Sequence, residues 1–157
     1  MNAYDRISVG DTHVFGSQTF TADAIRRFAL KYDPQPVHVD ESAAKASAAG
    51  GLCASGWHTA SAMMRSLVDY FDALEARARA AGEPYLNSGP SPGFDDLKWP
   101  HPVYAGDSIT YTARVVAKRP SRSRPGWGLL SMTATGVNQD GKTVFSVTTH
   151  VFVETAK

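Results

Sequence analysis

A single long helix constrains this chain more than any other feature. Ala60, Met63, Met64, Leu67, Phe71, Leu74 and Ala78 recur at helical spacing and form one apolar stripe. The pattern predicts a helix from about Ser55 to Ala81, ended by Gly82 and Pro84. The chain has 157 residues, about one domain's worth, so the rest of it must bury that stripe. Beyond the helix the chain reads as β-structure. Ile109, Tyr111, Ala113 and Val115 alternate with polar residues, and Phe145, Val147, Val151 and Val153 share one face while Ser146, Thr148 and His150 share the other. Residues 87–93 form a turn-rich linker, and Asp140-Gly141 is a hairpin signal between two strand-like runs.

Upstream, residues 13–20 read as a strand. Thr21 is placed to cap a helix, with Asp23 in its first turn and Ile25, Phe28, Ala29 and Tyr32 on one face. That helix should stop near Asp33, because Pro34 and Pro36 restrict the residues before them. Residues 33–40 are expected to be a rigid extended loop. Asp40 should then cap a short alanine-rich helix, Glu41 to Ala48, closed by Gly50-Gly51. The expectation is one α+β domain over residues 1–157, a long central helix wrapped by a mostly antiparallel sheet of the hairpin strands.

Composition narrows the function. Lys plus Arg total 16 and Asp plus Glu 15, a balance that disfavours nucleic-acid binding through bulk positive charge. A single cysteine, Cys53, excludes an internal disulfide and a Cys-rich zinc module, and fits a reducing compartment. Residues 1–20 hold no apolar block of signal-peptide length, and no apolar run approaches the roughly 20 residues a bilayer span needs. The expectation is a soluble, cytoplasmic protein with no membrane association.

Five histidines are present, at positions 13, 38, 58, 101 and 150, without an HExxH or other regular metal-ligand spacing, so no metal is expected. There is no Gly-rich phosphate loop and no GxSxG elbow. His58 and His101 read as structural or surface residues; Trp99, Pro100 and His101 could sit near a substrate, though no spacing places them there.

Asp33 and His38 are the informative pair. The two prolines between them hold a carboxylate and an imidazole in fixed relation, and such a pair can hold one water and move its protons. The same residues also fit a plainer role, a helix-terminal carboxylate and a part-buried loop imidazole. Gly50 to His58 leads into the long helix, whose free N–H groups and positive dipole end can stabilise an oxyanion. Gly56 also fits simple helix–sheet packing, and Ser55 an N-cap. Cys53 reads as a small buried filler rather than a nucleophile.

Together these motifs resemble the MaoC-like dehydratases, the group that includes the (R)-specific enoyl-CoA hydratases. The family's Asp, Asn-Pro, hydrophobic, His, any residue, Asp pattern is matched by residues 33–40, followed by the alanine-rich stretch. Its His-Gly-hydrophobic step into the central helix is matched by Ser55-Gly56-Trp57, and its Pro-Val, two residues, Gly-Asp run by residues 102–107. The resemblance runs from about Val9 to Val153. Gln35 stands in place of the family asparagine and Ser55 in place of the family histidine.

The resemblance implies a hotdog fold acting as at least a homodimer. It also implies a 2-enoyl thioester substrate, from coenzyme A or an acyl carrier, in fatty acid metabolism, with no cofactor besides the coenzyme A of the substrate. Asp33 and His38 match the catalytic pair. His38 would take the water's proton, an ordinary imidazole titrating at about 6.5. Asp33 would position the water or supply a proton at C2. The Gly56 N–H would bind the thioester oxygen, with Ser55, Gln35 and Trp57 around the substrate.

Two other hotdog activities stay open: a non-catalytic acyl-thioester-binding subunit and an acyl-CoA thioesterase. Residues 108–139 contain no acid but hold Arg114, Lys118, Arg119, Arg122 and Arg124. The last four sit in or beside a hairpin loop, where Arg119, Arg122 and Arg124 could meet coenzyme A phosphates or form a solvated basic turn. Met63, Met64, Leu67 and Phe71 could line an acyl tunnel or simply be core.

Overall fold

A computed structural model describes residues 2–155; the ends of the expected 1–157 domain lie outside the described residues. The chain begins with a short helix α1 (Ala3–Arg6), absent from the sequence expectation, and strand β1 (Thr12–Thr19). Helix α2 (Ala22–Tyr32) is capped by the Thr21 hydroxyl, which accepts from the Ala24 N–H. Next come helices α3 (Pro36–Val39) and α4 (Glu41–Ala46), the second capped by Asp40 at the Ala43 N–H. Helix α5 (Gly56–Ala81) is about 39 Å long at 1.5 Å per residue. Gly82 closes it in the left-handed conformation, φ 67°, which glycine reaches without strain. Strands β2 (Gly93–Lys98), β3 (Ser108–Pro120), β4 (Trp127–Val137) and β5 (Thr143–Glu154) complete the chain.

The extended loop expected at residues 33–40 is corrected by α3. Proline disfavours helix in the residue before it, but at the first position of a helix its missing N–H costs nothing. Pro36 takes that position, and Gln35 before it stays extended.

The five strands form one antiparallel sheet in the order β1-β3-β4-β5-β2. The β4–β5 turn contains Asp140-Gly141, with Gly141 at φ 78°, as the hairpin signal requires. One sheet face is the core face. Ile109, Tyr111, Ala113 and Val115 from β3 are at most 1% exposed, and Phe145, Val147 and Val153 from β5 join them. Met63 of α5 is buried against this face, with Ala60, Leu67 and Phe71 partly buried beside it. Met64 and Leu74, expected in the same stripe, are instead exposed. The other sheet face carries paired hydroxyls, Ser17 with Thr110 and Thr133 with Thr148. This is the expected α+β hotdog architecture, a long central helix packed on one face of a five-stranded antiparallel sheet. No helix among the described residues is long and apolar enough to cross a membrane.

Candidate active site

Asp33 ends α2, where its own N–H still reaches the Ala29 carbonyl. The single turn of α3 then brings the His38 ring back toward it, with His38 Nε2 3.4 Å from Asp33 Oδ2. Both side chains are largely buried. Two neutral donors serve the carboxylate: Ser55 Oγ donates to Oδ2 and Gln35 Nε2 donates to Oδ1, each at 2.6 Å. These hydrogen bonds, Ser55's first and Gln35's second, favour the charged form and hold Asp33 below the usual carboxylate range in spite of its burial.

The His38 tautomer is set by its other nitrogen. Nδ1 lies 2.7 Å from the Cys53 carbonyl oxygen, which can only accept, so Nδ1 carries the proton. The Cys53 sulfur is farther from Nδ1, at 3.9 Å, and its burial pushes the thiol up, consistent with a filler role. In the neutral ring the Nε2 lone pair therefore faces Asp33. Two acceptors side by side repel each other unless a donor lies beside both, and a water O–H is such a donor.

These groups open on a cavity of ≈350 Å³ at the first turn of α5. Asp33, Gln35, His38, Ser55 and His101 supply its polar part, and Ala54, Gly56, Trp57, Thr59, Trp99, Pro102, Val103 and Val144 the rest. Ser55 precedes α5 but makes no side-chain cap, because its hydroxyl is committed to Asp33. Ser55 thus stands at the N-cap position expected of it, without the side-chain hydrogen bond such a cap usually makes. The helix start lines the cavity at the positive end of the dipole, with no side-chain cap from Ser55.

Gly56 is the first residue of α5, and its packing is tight. A Cβ there would lie 2.5 Å from Trp99 Cε2. The Trp99 indole N–H donates to the Gly56 carbonyl at 2.9 Å and to Thr59 Oγ1 at 3.1 Å. Trp57 is 55% exposed at the rim and meets Trp99 edge to face at 5.4 Å between ring centroids. Trp99 and His101 line the cavity, the placement near a substrate that the sequence reading allows, while Thr59, Val103 and Val144 were not legible as lining residues, since chain folding rather than local spacing brings them here. His58 packs flat on Phe28 and edge-on to Phe20, and burial pushes its pKa down, so its structural reading stands.

Arg119, Arg122 and Arg124 are exposed and are not brought to the cavity within one chain. Val144 of the cavity neighbours Phe145, which pairs with Gly136, itself opposite Tyr111; Arg119 lies eight residues further along β3, about 26 Å at ~3.3 Å per residue. Arg124 rests over the Phe152 ring instead. Among the described residues no three His, Cys, Asp or Glu side chains gather as a metal-binding group.

Known proteins point in the same direction. A family model described as "MaoC like domain" matches residues 8–128. The crystal structure of the MaoC-like dehydratase from Rhodospirillum rubrum is 33% identical and superposes with a TM-score of 0.78, covering 98% of this chain and 97% of that one. The (R)-hydratase from A. caviae involved in PHA biosynthesis shares the fold at 22% identity and a TM-score of 0.65, over 93% and 96% of the two chains. Uncharacterized protein YdeM of Bacillus subtilis (strain 168) is 26% identical over 144 residues, 90% of this chain and 91% of its own. With more than half its length matched by the family model, and with the Asp33–His38 pair set beside the start of its central helix, the chain belongs to the MaoC-like domain family.

Proposed function

We propose that this protein is a hydratase/dehydratase that adds water to a 2-enoyl thioester, or removes it from the (3R)-hydroxyacyl thioester, with coenzyme A as the carrier. One observation carries the reading. Asp33 Oδ2 and His38 Nε2 present two acceptors 3.4 Å apart to one cavity that also holds the start of α5.

A water between them donates one hydrogen to each and turns its lone pair toward the substrate. The water oxygen bonds to C3 as His38 Nε2 takes its proton, and the C2–C3 π electrons move toward the thioester oxygen. Gly56 N–H, at the helix start, stabilises that enolate oxygen. The proton then passes to C2, and the product carries hydroxyl at C3 and hydrogen at C2. Asp33, held ionised by Ser55 and Gln35, is the weaker base of the two. Its part is to orient the water and to stabilise the imidazolium while it exists.

The reading of a non-catalytic subunit rests on Ser55 replacing the family histidine. The Ser55–Asp33 hydrogen bond gives that serine a positioning part, which favours the hydratase. A homodimer is also proposed, on the exposure of Trp57, Met64, Val68, Phe94 and Trp99 along α5, β2 and the segment after it.

The test is hydration of crotonyl-CoA and longer or branched 2-enoyl-CoAs, monitored by loss of the enoyl absorbance, with a thiol-reactive dye present in a parallel cuvette. Loss of absorbance without free thiol supports the hydratase. Thiol release points to the thioesterase, and tight binding with neither signal to the binding subunit.

A further inference from the structure

The cavity at Asp33 and His38 stops abruptly along α5. Its lining ends at Thr59, while a second, larger apolar groove of ≈940 Å³ begins on the same helix at Met64, and the two share no residue. Strand β2 repeats the arrangement, since Phe94 lines the groove and Trp99, just after the strand, lines the cavity. Both elements therefore lead from the Trp99–Thr59 contact toward the groove. The indole at this contact is not a loosely placed surface ring. Its N–H is shared between the Gly56 carbonyl and Thr59 Oγ1, and its five-membered ring, through Nε1, Cε2 and Cδ2, fills the space that a Gly56 side chain would need. Thr59 is itself 2% exposed, and its carbonyl accepts from the fully buried Tyr111 hydroxyl at 2.9 Å, so the acceptor side of the contact is anchored in the core.

We infer that Trp99 is the residue that sets acyl chain length, walling the reactive cavity off from the groove and restricting the substrate to short 2-enoyl thioesters. The inference rests on the hydratase reading for its substrate class, and on geometry alone for the wall. At ≈350 Å³ the cavity lies near the small end of the usual range for ligand pockets, about 300–1,000 Å³. A rigid wall discriminates sharply, because one methylene admitted or refused by an apolar pocket changes kcat/KM by roughly 10-fold or more. Trp99 contacts neither Asp33 nor His38 but braces Gly56, so its loss can also lower the rate with every chain, and the preference between chains, not the rate with one, is the readout.

The experiment compares wild type with Trp99→Ala and Trp99→Phe in two measurements. The first is kcat/KM for crotonyl-, 2-octenoyl- and 2-dodecenoyl-CoA. The second is calorimetric binding of the saturated butyryl-, octanoyl- and dodecanoyl-CoAs, which cannot be hydrated. Wild type should favour the four-carbon over the twelve-carbon chain at least tenfold in both. Trp99→Ala should reduce that preference at least tenfold, and Trp99→Phe should move it in the same direction by less. The phenylalanine variant carries the test if circular dichroism shows that the alanine variant does not fold.

Equal preference in wild type, or a preference unchanged by both substitutions, overturns the inference. If no enoyl-CoA is hydrated but the binding preference shifts with Trp99, the proposed chemistry fails and the wall stands. If hydration proceeds but the preference does not move, the reverse holds.

Discussion

Removing the Ser55 hydroxyl is the sharpest available probe of this site. Ser55→Ala takes away one of the two donors to Asp33 and leaves the buried methylene in place. Hydrogen bonds to charged groups contribute roughly 1.5–3 kcal/mol. The lower end applies here, because Gln35 still serves the other oxygen and the Asp33 side chain keeps 16% of its surface open to replacement water. The expected loss at pH 7 is about 1.5 kcal/mol. With a urea m-value of about 1.5–2 kcal/mol/M, the unfolding midpoint falls by roughly 0.75–1 M.

The pH dependence carries the discrimination. Ser55 lowers the folded-state pKa of Asp33, so its contribution is complete above the ordinary carboxylate value of about 3.9 and fades as pH falls through the lower folded value. The wild-type-minus-variant difference should therefore be full at pH 7 and pH 5 and shrink near pH 3. In an Asp33→Asn background, Ser55→Ala should cost much less at pH 7. A difference of equal size at pH 7 and pH 3, unaltered by Asp33→Asn, would refute the reasoning and make Ser55 a packing residue only.

Asp33→Asn and His38→Ala should each lower kcat/KM for hydration by roughly 10²–10⁴ with the circular dichroism spectrum unchanged, since each removes one acceptor for the water. Gly56→Ala should cost about 1–3 kcal/mol in urea denaturation, because the new methyl meets the Trp99 ring at 2.5 Å. Tyr111→Phe should cost about 1 kcal/mol through the lost bond to the Thr59 carbonyl. Burial pushes the Tyr111 phenol above its ordinary range, so that cost should be flat between pH 5 and pH 9 when measured by urea midpoints. Thr21→Ala should cost about 1 kcal/mol by the same measurement, as the cap of α2 is lost.

Features written in local chemistry were legible in advance. The Thr21 and Asp40 caps, the Asp140-Gly141 turn and the stop at Gly82 each depend on a few neighbouring residues, and each stands where the sequence puts it. The alternation along β3 and β5 sorted core from solvent because a strand has only two faces. Residues 36–39 were misread, because a proline signals both the end of one helix and the start of another. The apolar stripe of α5 was legible in its spacing but not in its width, since the sheet covers Met63 and leaves Met64 open. Asp33 and His38 were found through their spacing, but the commitment of Ser55 to Asp33 was not. A serine before a helix is ordinarily a cap, and only the return of the chain to a carboxylate 22 residues earlier supplies the acceptor that takes its hydroxyl. Trp99 could be suspected near a substrate, but its bond to a carbonyl 43 residues away could not, for the same reason.

The way the cavity is assembled bears on how such a protein can change over generations. Its acid, its imidazole, both donors to the acid and the helix start all come from residues 33–56, tied to one another by Ser55–Asp33 and His38–Cys53. The facing walls come from residues 99–103 and from Val144, and residues 99–103 join that segment through Trp99–Gly56 and Ala54–Val103 rather than through Asp33 or His38. Reaction and selectivity are thus inherited on separate stretches of chain. Substitutions around residue 99 can retune which thioester is accepted while Asp33, His38 and their hydrogen-bond partners keep their own ties, with Gly56 the one place where the two stretches must change together.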